Sequence, residues 1–207
     1  MPLIRKPVTD TRAQGLPTVD VLRGLASADA EERWVAARAA PEVEGGADAL
    51  VTALRTESDA RVREAMLTSL ARINSSASVE AILALLRSDD ASVRSGALET
   101  LRVMGSAMRE HLPRLLSDAD SDVRLLSCEI TRGLPGAEAT RLLCDLLVRE
   151  NQVNVCGAAI EVLAEVGQAE ALPVLAQCET RFRDTPFLVF AIKMATDRIL
   201  AQSTRHV

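Results

Sequence analysis

The residues able to do chemistry fall into a few sets. Three carboxylates each stand four residues before an arginine: Asp59 and Arg63, Asp90 and Arg94, Asp120 and Arg124. A second acidic row is formed by Glu99, Glu129 and Glu161. Two carboxylates facing one bond could do general acid–base or glycosidase-like chemistry. Equivalent positions of stacked helices, however, lie about one helix spacing apart, roughly 8–10 Å or more, and no sugar platform accompanies them. The four cysteines, Cys128, Cys144, Cys156 and Cys178, form no Cys-x-x-Cys pair, and read as small buried apolar side chains rather than as a zinc knuckle or disulfide framework. A two-histidine metal site would need both His111 and His206, and His206 is one residue from the C-terminus. There is no Ser-His-Asp ordering, glycine-rich phosphate loop or His-Glu metal pair. No catalytic residue, cofactor or metal is assigned on these grounds.

What positions these residues is a repeat. The strings SDARVREAMLTSLARI from Ser58, DDASVRSGALETLRVMG from Asp89 and DADSDVRLLSCEITRG from Asp118 share Asp-x-x-Val-Arg. A degraded copy lies at Asp29, Glu32 and Arg33, and successive arginines from Arg33 to Arg124 are 30, 31 and 30 residues apart. Two weaker copies follow, with Val155-Cys156 and Phe187-Leu188 in place of Val-Arg. A constant period near 31 in a helical chain means stacked helix pairs. Six units run from about Thr18 to Leu200, each expected to hold two amphipathic helices. The first carries runs such as Val79-Ile82-Leu83-Leu86 and Leu112-Leu115-Leu116, with Pro113 and Pro173 near the first turn, where a missing N–H is tolerated. The second starts after the Asp, whose carboxylate can cap free N–H groups. Gly105, Gly133 and Gly167 are expected to close it in a left-handed C-terminal cap.

Composition agrees with this organisation. Of 207 residues, 48% are hydrophobic but 2% aromatic, so the core must be Ala, Leu, Val and Ile. The single Trp lies in the first unit and all three Phe, at 182, 187 and 190, in the last. Regular stacking of small units leaves little room for rings inside. The net charge of −5 disfavours a binder of nucleic-acid backbones. Met1 to Pro7 has no apolar signal core and no run reaches membrane-spanning length, so a cytoplasmic protein without membrane attachment is expected. Residues 1–17 are expected to be a flexible head, and 18–207 one domain.

The repeat resembles HEAT repeats, specifically the short bacterial HEAT-like units first associated with phycobilisome lyases. The unit carrying Asp90, Val93, Arg94, Ala97, Leu98, Leu101, Met104 and Gly105 follows their pattern closely. The resemblance implies an all-α, right-handed α-solenoid of about six helical hairpins. It also implies that Asp59, Asp90, Asp120, Arg63, Arg94 and Arg124 form a buried structural ladder between adjacent units. A guanidinium bridging a carboxylate and open carbonyls would suit that role. The His-Glu pairs of deoxyhypusine hydroxylases, which resemble this scaffold, are missing, as is the basic aromatic surface of HEAT-like DNA glycosylases.

Alignment on the motif leaves two rows on the second helices, which such a solenoid presents on its concave face. One is Trp34, Ala65, Gly96, Leu126, Ala158 and Phe190; the other is Arg38, Thr68, Glu99, Glu129, Glu161 and Lys193. An apolar strip beside an acidic one is what a groove for a partner helix or basic peptide would look like. Arg102 and Arg132, three residues after Glu99 and Glu129, could pair with those acids and reduce the field. The expected function is a non-catalytic scaffold or adaptor that binds another protein. The alternative implied by the resemblance is a bilin lyase-like enzyme or tetrapyrrole chaperone.

Overall fold

Apolar side chains at helical spacing, interrupted every 10 to 15 residues by a polar turn, leave the chain one economical solution: short helices packed side by side. A computed structural model describes residues 18–203 and shows helices with no strand among them. The expected head, residues 1–17, lies outside the described residues, as does His206.

The helices group into two compact units, the first ending at Ile73 and the second beginning at Asn74. The first unit contains α1 (Thr18–Gly24), α2 (Ala30–Ala39), α3 (Gly46–Leu54) and α4 (Ala60–Ile73). The second contains α5 (Ser76–Leu85), α6 (Ala91–Val103), α7 (Gly105–Met108), α8 (Leu112–Leu115), α9 (Ser121–Ile130), α10 (Gly136–Arg149), α11 (Val153–Val166), α12 (Leu172–Arg181) and α13 (Pro186–Ser203). Paired in order, with α7 a detached first turn of the α8 hairpin, they make six helical hairpins, so the fold is an all-α helical-repeat solenoid.

Within each unit the helices form two layers. In the first, α1 packs on α3 and α2 on α4; in the second, α10 packs on α12, while α6, α9, α11 and α13 pack in succession. Ala36, Ala97, Ser127 and Ala159 are buried at equivalent places on the second helices, three residues after the repeat arginine or its Cys156 substitute. Their small side chains let neighbouring helices approach, which is why the middle of the chain holds no ring. The first helix of the fourth hairpin is broken: Pro113, unable to donate, restarts it as the four-residue α8.

The repeated Asp explains where the second helices begin. Asp59 accepts from the Arg61 and Val62 N–H groups at 2.9 and 3.1 Å, Asp90 from Ser92 at 2.7 Å and Asp120 from Asp122 at 2.9 Å. Asp59→Ala, which removes both acceptances at once, is expected to lower stability by about 1 kcal/mol in urea unfolding. The helix ends differ from the sequence reading. Gly105, Gly133 and Gly167 do not have positive φ; among described residues that region holds Gly45 (φ 74) and Asn74 (φ 50). Backbone crowding, not handedness, requires the first two glycines, since a Cβ at Gly105 would lie 2.9 Å from the Gly133 carbonyl oxygen.

Candidate partner-binding surfaces

The ladder expected of Asp59, Asp90, Asp120, Arg63, Arg94 and Arg124 is replaced by two separate devices. The aspartates are not buried: Asp59 is half-buried and Asp90 and Asp120 are exposed. They are held at the helix starts as caps, because the free N–H groups of the first turn are the nearest donors. Each arginine instead folds back onto the turn before its own helix. Arg63 donates to the Glu57 carbonyl at 3.1 Å, Arg94 to Ser88 at 2.6 Å and Arg124 to Asp118 at 2.7 Å. The Cys156 thiol, standing where the arginine would, makes the same contact to the Glu150 carbonyl at 3.6 Å.

Carboxylates outside the motif, joined by the motif's Asp120, link consecutive hairpins. Arg33 pairs with Glu57 at 2.7 Å and Arg124 with Glu150 at 2.6 Å, while Arg87 reaches Asp118 at 2.6 Å and Asp120 at 3.7 Å. The Arg33 hydrogen bond, opposed by burial, holds the Glu57 carboxyl below its ordinary range. These pairs tie one hairpin to the next.

The second-helix rows divide between the two units. In the first, Ala65 is buried, Thr68 exposed and Trp34 half-buried. The guanidinium groups of Arg38 and Arg61 lie 4.6 and 4.3 Å from the Trp34 ring centre. In the second, Gly96, Leu126 and Ala158 are half-buried, whereas Phe190 is 67% exposed and Lys193 is exposed beside it.

Two arginines meet the acidic row where it lies. Arg102 pairs with Glu99 at 3.1 Å. Arg132 lies 2.8 Å from Glu129 and 3.8 Å from Glu161, and it also contacts Glu165. The Glu129 hydrogen bond, against the opposing effect of burial, pushes the Arg132 guanidinium further up, and Arg132 in turn holds Glu165 down. An arginine three residues along meets Glu99 and Glu129, which reduces the field of the strip, while Glu161 is approached across hairpins by Arg132 and stays 70% exposed.

Alignment on one position per repeat overlooks Phe187 and Met194, which are 54% and 39% exposed and share a face of α13 with Phe190. It also overlooks Arg61 and Arg72 beside Trp34. The i, i+3, i+7 spacing of Phe187, Phe190 and Met194 is the signal that could have found the first group.

Cys128, Cys156 and Cys178 are buried, as the sequence suggests, whereas Cys144 is half-buried. Burial pushes the Cys144 and Cys156 thiols up to about 11, and raises Cys128 and Cys178 as well. Among the described residues no group of three or more His, Cys, Asp or Glu side chains could hold a metal ion, and His111 faces Glu80 at 3.4 Å. Among them, too, no helix is long and apolar enough to cross a membrane.

No curated protein matches the chain. Among solved structures it is similar to an engineered protein, at 21% identity over 89% of this chain and 96% of that one, with a TM-score of 0.44. It is also similar to a designed armadillo repeat protein, at 15% identity over 88% and 100%, TM-score 0.41. A third is the complex of CpcE and CpcF of phycocyanin lyase from Nostoc sp. PCC7120, at 19% identity over 85% and 74%, TM-score 0.46. The family model for HEAT repeats matches residues 47–113 and again 108–184. Those stretches span both compact units and take in four of the six second helices, α4, α6, α9 and α11, and with the hairpins and their caps they place this chain in the HEAT-repeat family.

Proposed function

We propose that this chain is a non-catalytic adaptor that holds a partner protein against the outer face of its second helices. One observation carries the proposal: α13 is apolar on both sides. Leu188, Ile192, Ala195 and Ile199 are buried against the repeat, while Phe187, Phe190 and Met194 are exposed on another face. A helix whose second face meets only water ordinarily turns polar residues to it. Exposed rings and a flexible thioether at i, i+3 and i+7 are what a partner helix or apolar groove packs against. Lys193 beside them offers a charge at the rim rather than the centre, as interfaces commonly do.

The double variant Phe190→Gln, Met194→Gln keeps helix propensity and leaves the buried face intact. A partner recovered with the native chain should bind it at least about 10-fold more weakly, the loss expected for removing one well-buried aromatic contact. Unchanged circular dichroism and melting temperature establish that the fold is retained. Equal affinity for native and variant chains would remove α13 from the proposal. The bilin-handling alternative predicts a spectral change when purified protein meets a free bilin; the adaptor reading predicts none.

A further inference from the structure

The first unit gathers three exposed arginines around one ring on a chain whose net charge is −5. A depression of ≈ 400 Å³ on its second helices is lined by Trp34, Arg38, Arg61, Glu64, Thr68 and Arg72, among others. Three arginines and Glu64 thus surround the single tryptophan of the protein, with Glu31 and Glu42 paired to Arg61 and Arg72 at the margins.

The arginines here differ from the repeat's buried ones. Arg33, Arg124 and Arg132 are each locked to carboxylates, the first two also to backbone carbonyls, with side chains 18%, 14% and 12% exposed. Arg38 forms no ion pair with a described residue; what holds it is the Trp34 ring. Arg61 and Arg72 pair with Glu31 and Glu42 at 2.8 Å, but all four side chains are more than half exposed. Exposed pairs of this kind contribute about 0–1 kcal/mol and exchange readily for a better-placed anion.

Stacking occupies the face of a guanidinium and leaves its in-plane N–H groups for a carboxylate. Two guanidinium groups on one indole are also partly immobilised before any ligand arrives, which lowers the ordering cost of binding. The depression runs between α2 and α4, and its small wall residues, Ala65 and Thr68, give an extended backbone room to lie down. Glu31, Glu42 and Glu64 at its margins oppose a continuous polyphosphate, whereas separated carboxylates can meet the arginines between them.

We propose that the α2/α4 face of the first unit is a docking site for an acidic peptide segment of a partner protein, its carboxylates held by Arg38 and Arg61 around Trp34. This site lies in a different unit from the α13 stripe and does not depend on it. Losing one would leave the other testable.

Trp34 provides the readout, since its emission is the only tryptophan signal of the chain. The intact protein would be titrated with a short glutamate-rich peptide, the same peptide with Gln for every Glu, a lysine-rich peptide and a single-stranded oligonucleotide. The glutamate peptide should change Trp34 emission saturably, with a Kd on the order of micromolar to tens of micromolar. Raising salt from about 50 to 300 mM should weaken it several-fold. The Gln peptide should bind about 10-fold or more weaker and the lysine peptide not at all. Arg38→Gln and Arg61→Gln, both at exposed positions, should each weaken binding roughly 5- to 10-fold, while Arg38→Lys should fall between, keeping charge but losing the planar fork. No saturable change below millimolar peptide, equal response to the Gln peptide, or unaltered binding by both Gln variants would overturn the proposal. Tighter binding of the oligonucleotide than of the peptide would overturn it in favour of a nucleic-acid surface.

Discussion

Arg124→Ala is expected to destabilise the second unit by about 3 kcal/mol, the scale for removing one partner from a buried ion pair. Arg124 meets Glu150 through both ends of its fork, Nε to Oε2 at 2.6 Å and Nη2 to Oε1 at 3.3 Å. Its other terminal nitrogen donates to the Asp118 and Ala119 carbonyl oxygens at 2.7 and 3.1 Å. Glu150 in turn accepts from the Asn151 and Gln152 N–H groups at 2.9 and 2.8 Å. The clasp therefore joins the turn before α9 to the turn before α11, one hairpin to the next. With the two side chains only 14% and 7% exposed, water cannot replace the guanidinium efficiently once it is removed. Glu150→Gln should cost less than Arg124→Ala, because the amide oxygen still accepts a hydrogen bond at that place and the guanidinium left without its carboxylate keeps the Asp118 and Ala119 carbonyl oxygens. Replacing both residues by methionine should also cost less than the single Arg124→Ala.

The same pair makes a pH prediction. Burial alone would raise the Glu150 carboxyl, but the Arg124 hydrogen bond and the Gln152 and Asn151 N–H groups more than offset this and hold it below its ordinary 4.5. A carboxyl depressed by folding contributes stability that is fully present above its unfolded value. That contribution is lost as pH falls through the lower folded value. Urea midpoints of the native chain should therefore drop below about pH 4.5, and Glu150→Gln should drop less over the same interval. A loss under about 1 kcal/mol for Arg124→Ala at neutral pH would show that the clasp contributes little.

The hairpins were legible because their determinants are local. Asp59, Asp90 and Asp120 cap the helices that follow them, and the apolar spacing of each helix is written in adjacent residues. What joins hairpins was not legible, because it varies in type at one position. Two residues before each helix cap stand Ser27, Glu57, Ser88, Asp118 and Glu150, and all five side chains accept from the N–H at the cap position. A serine stops at that local bond. Glutamate, one methylene longer than aspartate, also extends to the arginine of the preceding hairpin, while Asp118 is met by Arg87 instead. A motif defined by Asp-x-x-Val-Arg excludes this position, and so assigns the arginine the wrong carboxylate. The candidate site shows the same limit. Trp34, Arg38, Glu99 and Glu129 follow from alignment, and Arg102 and Arg132 from their i, i+3 spacing to the acids. The contacts of Arg132 with Glu161 and Glu165, and of Arg61 with the tryptophan ring, cross hairpins and depend on side-chain reach. Phe187 and Met194 were missed because one residue per repeat cannot describe a stripe along a single helix.

Gly133→Ala should have an effect comparable in size, through a different cause. A Cβ at Gly133 would lie 2.8 Å from the Arg102 carbonyl oxygen, and one at Gly105 would lie 2.9 Å from the Gly133 carbonyl oxygen. The obstructing atoms are backbone, so no rotamer change relieves the clash, and the end of α6 must move from the end of α9. Overpacking of this kind costs about 1–3 kcal/mol, and the upper half is expected here because neighbouring hairpins must separate. Once one methyl has forced that separation a second meets less resistance, so Gly105→Ala with Gly133→Ala should cost less than the two changes added. Gly45 provides the control for handedness. Its φ is +74 and nothing would lie within 4 Å of an added Cβ, so Gly45→Ala carries only left-handed backbone strain of about 1 kcal/mol. Asparagine tolerates that region, as Asn74 does at φ 50. Gly45→Asn should therefore be milder than Gly45→Ala, whereas Gly133→Asn should be worse than Gly133→Ala. If asparagine rescued both positions in urea unfolding, conformational freedom rather than close approach would be the reason for glycine at 133.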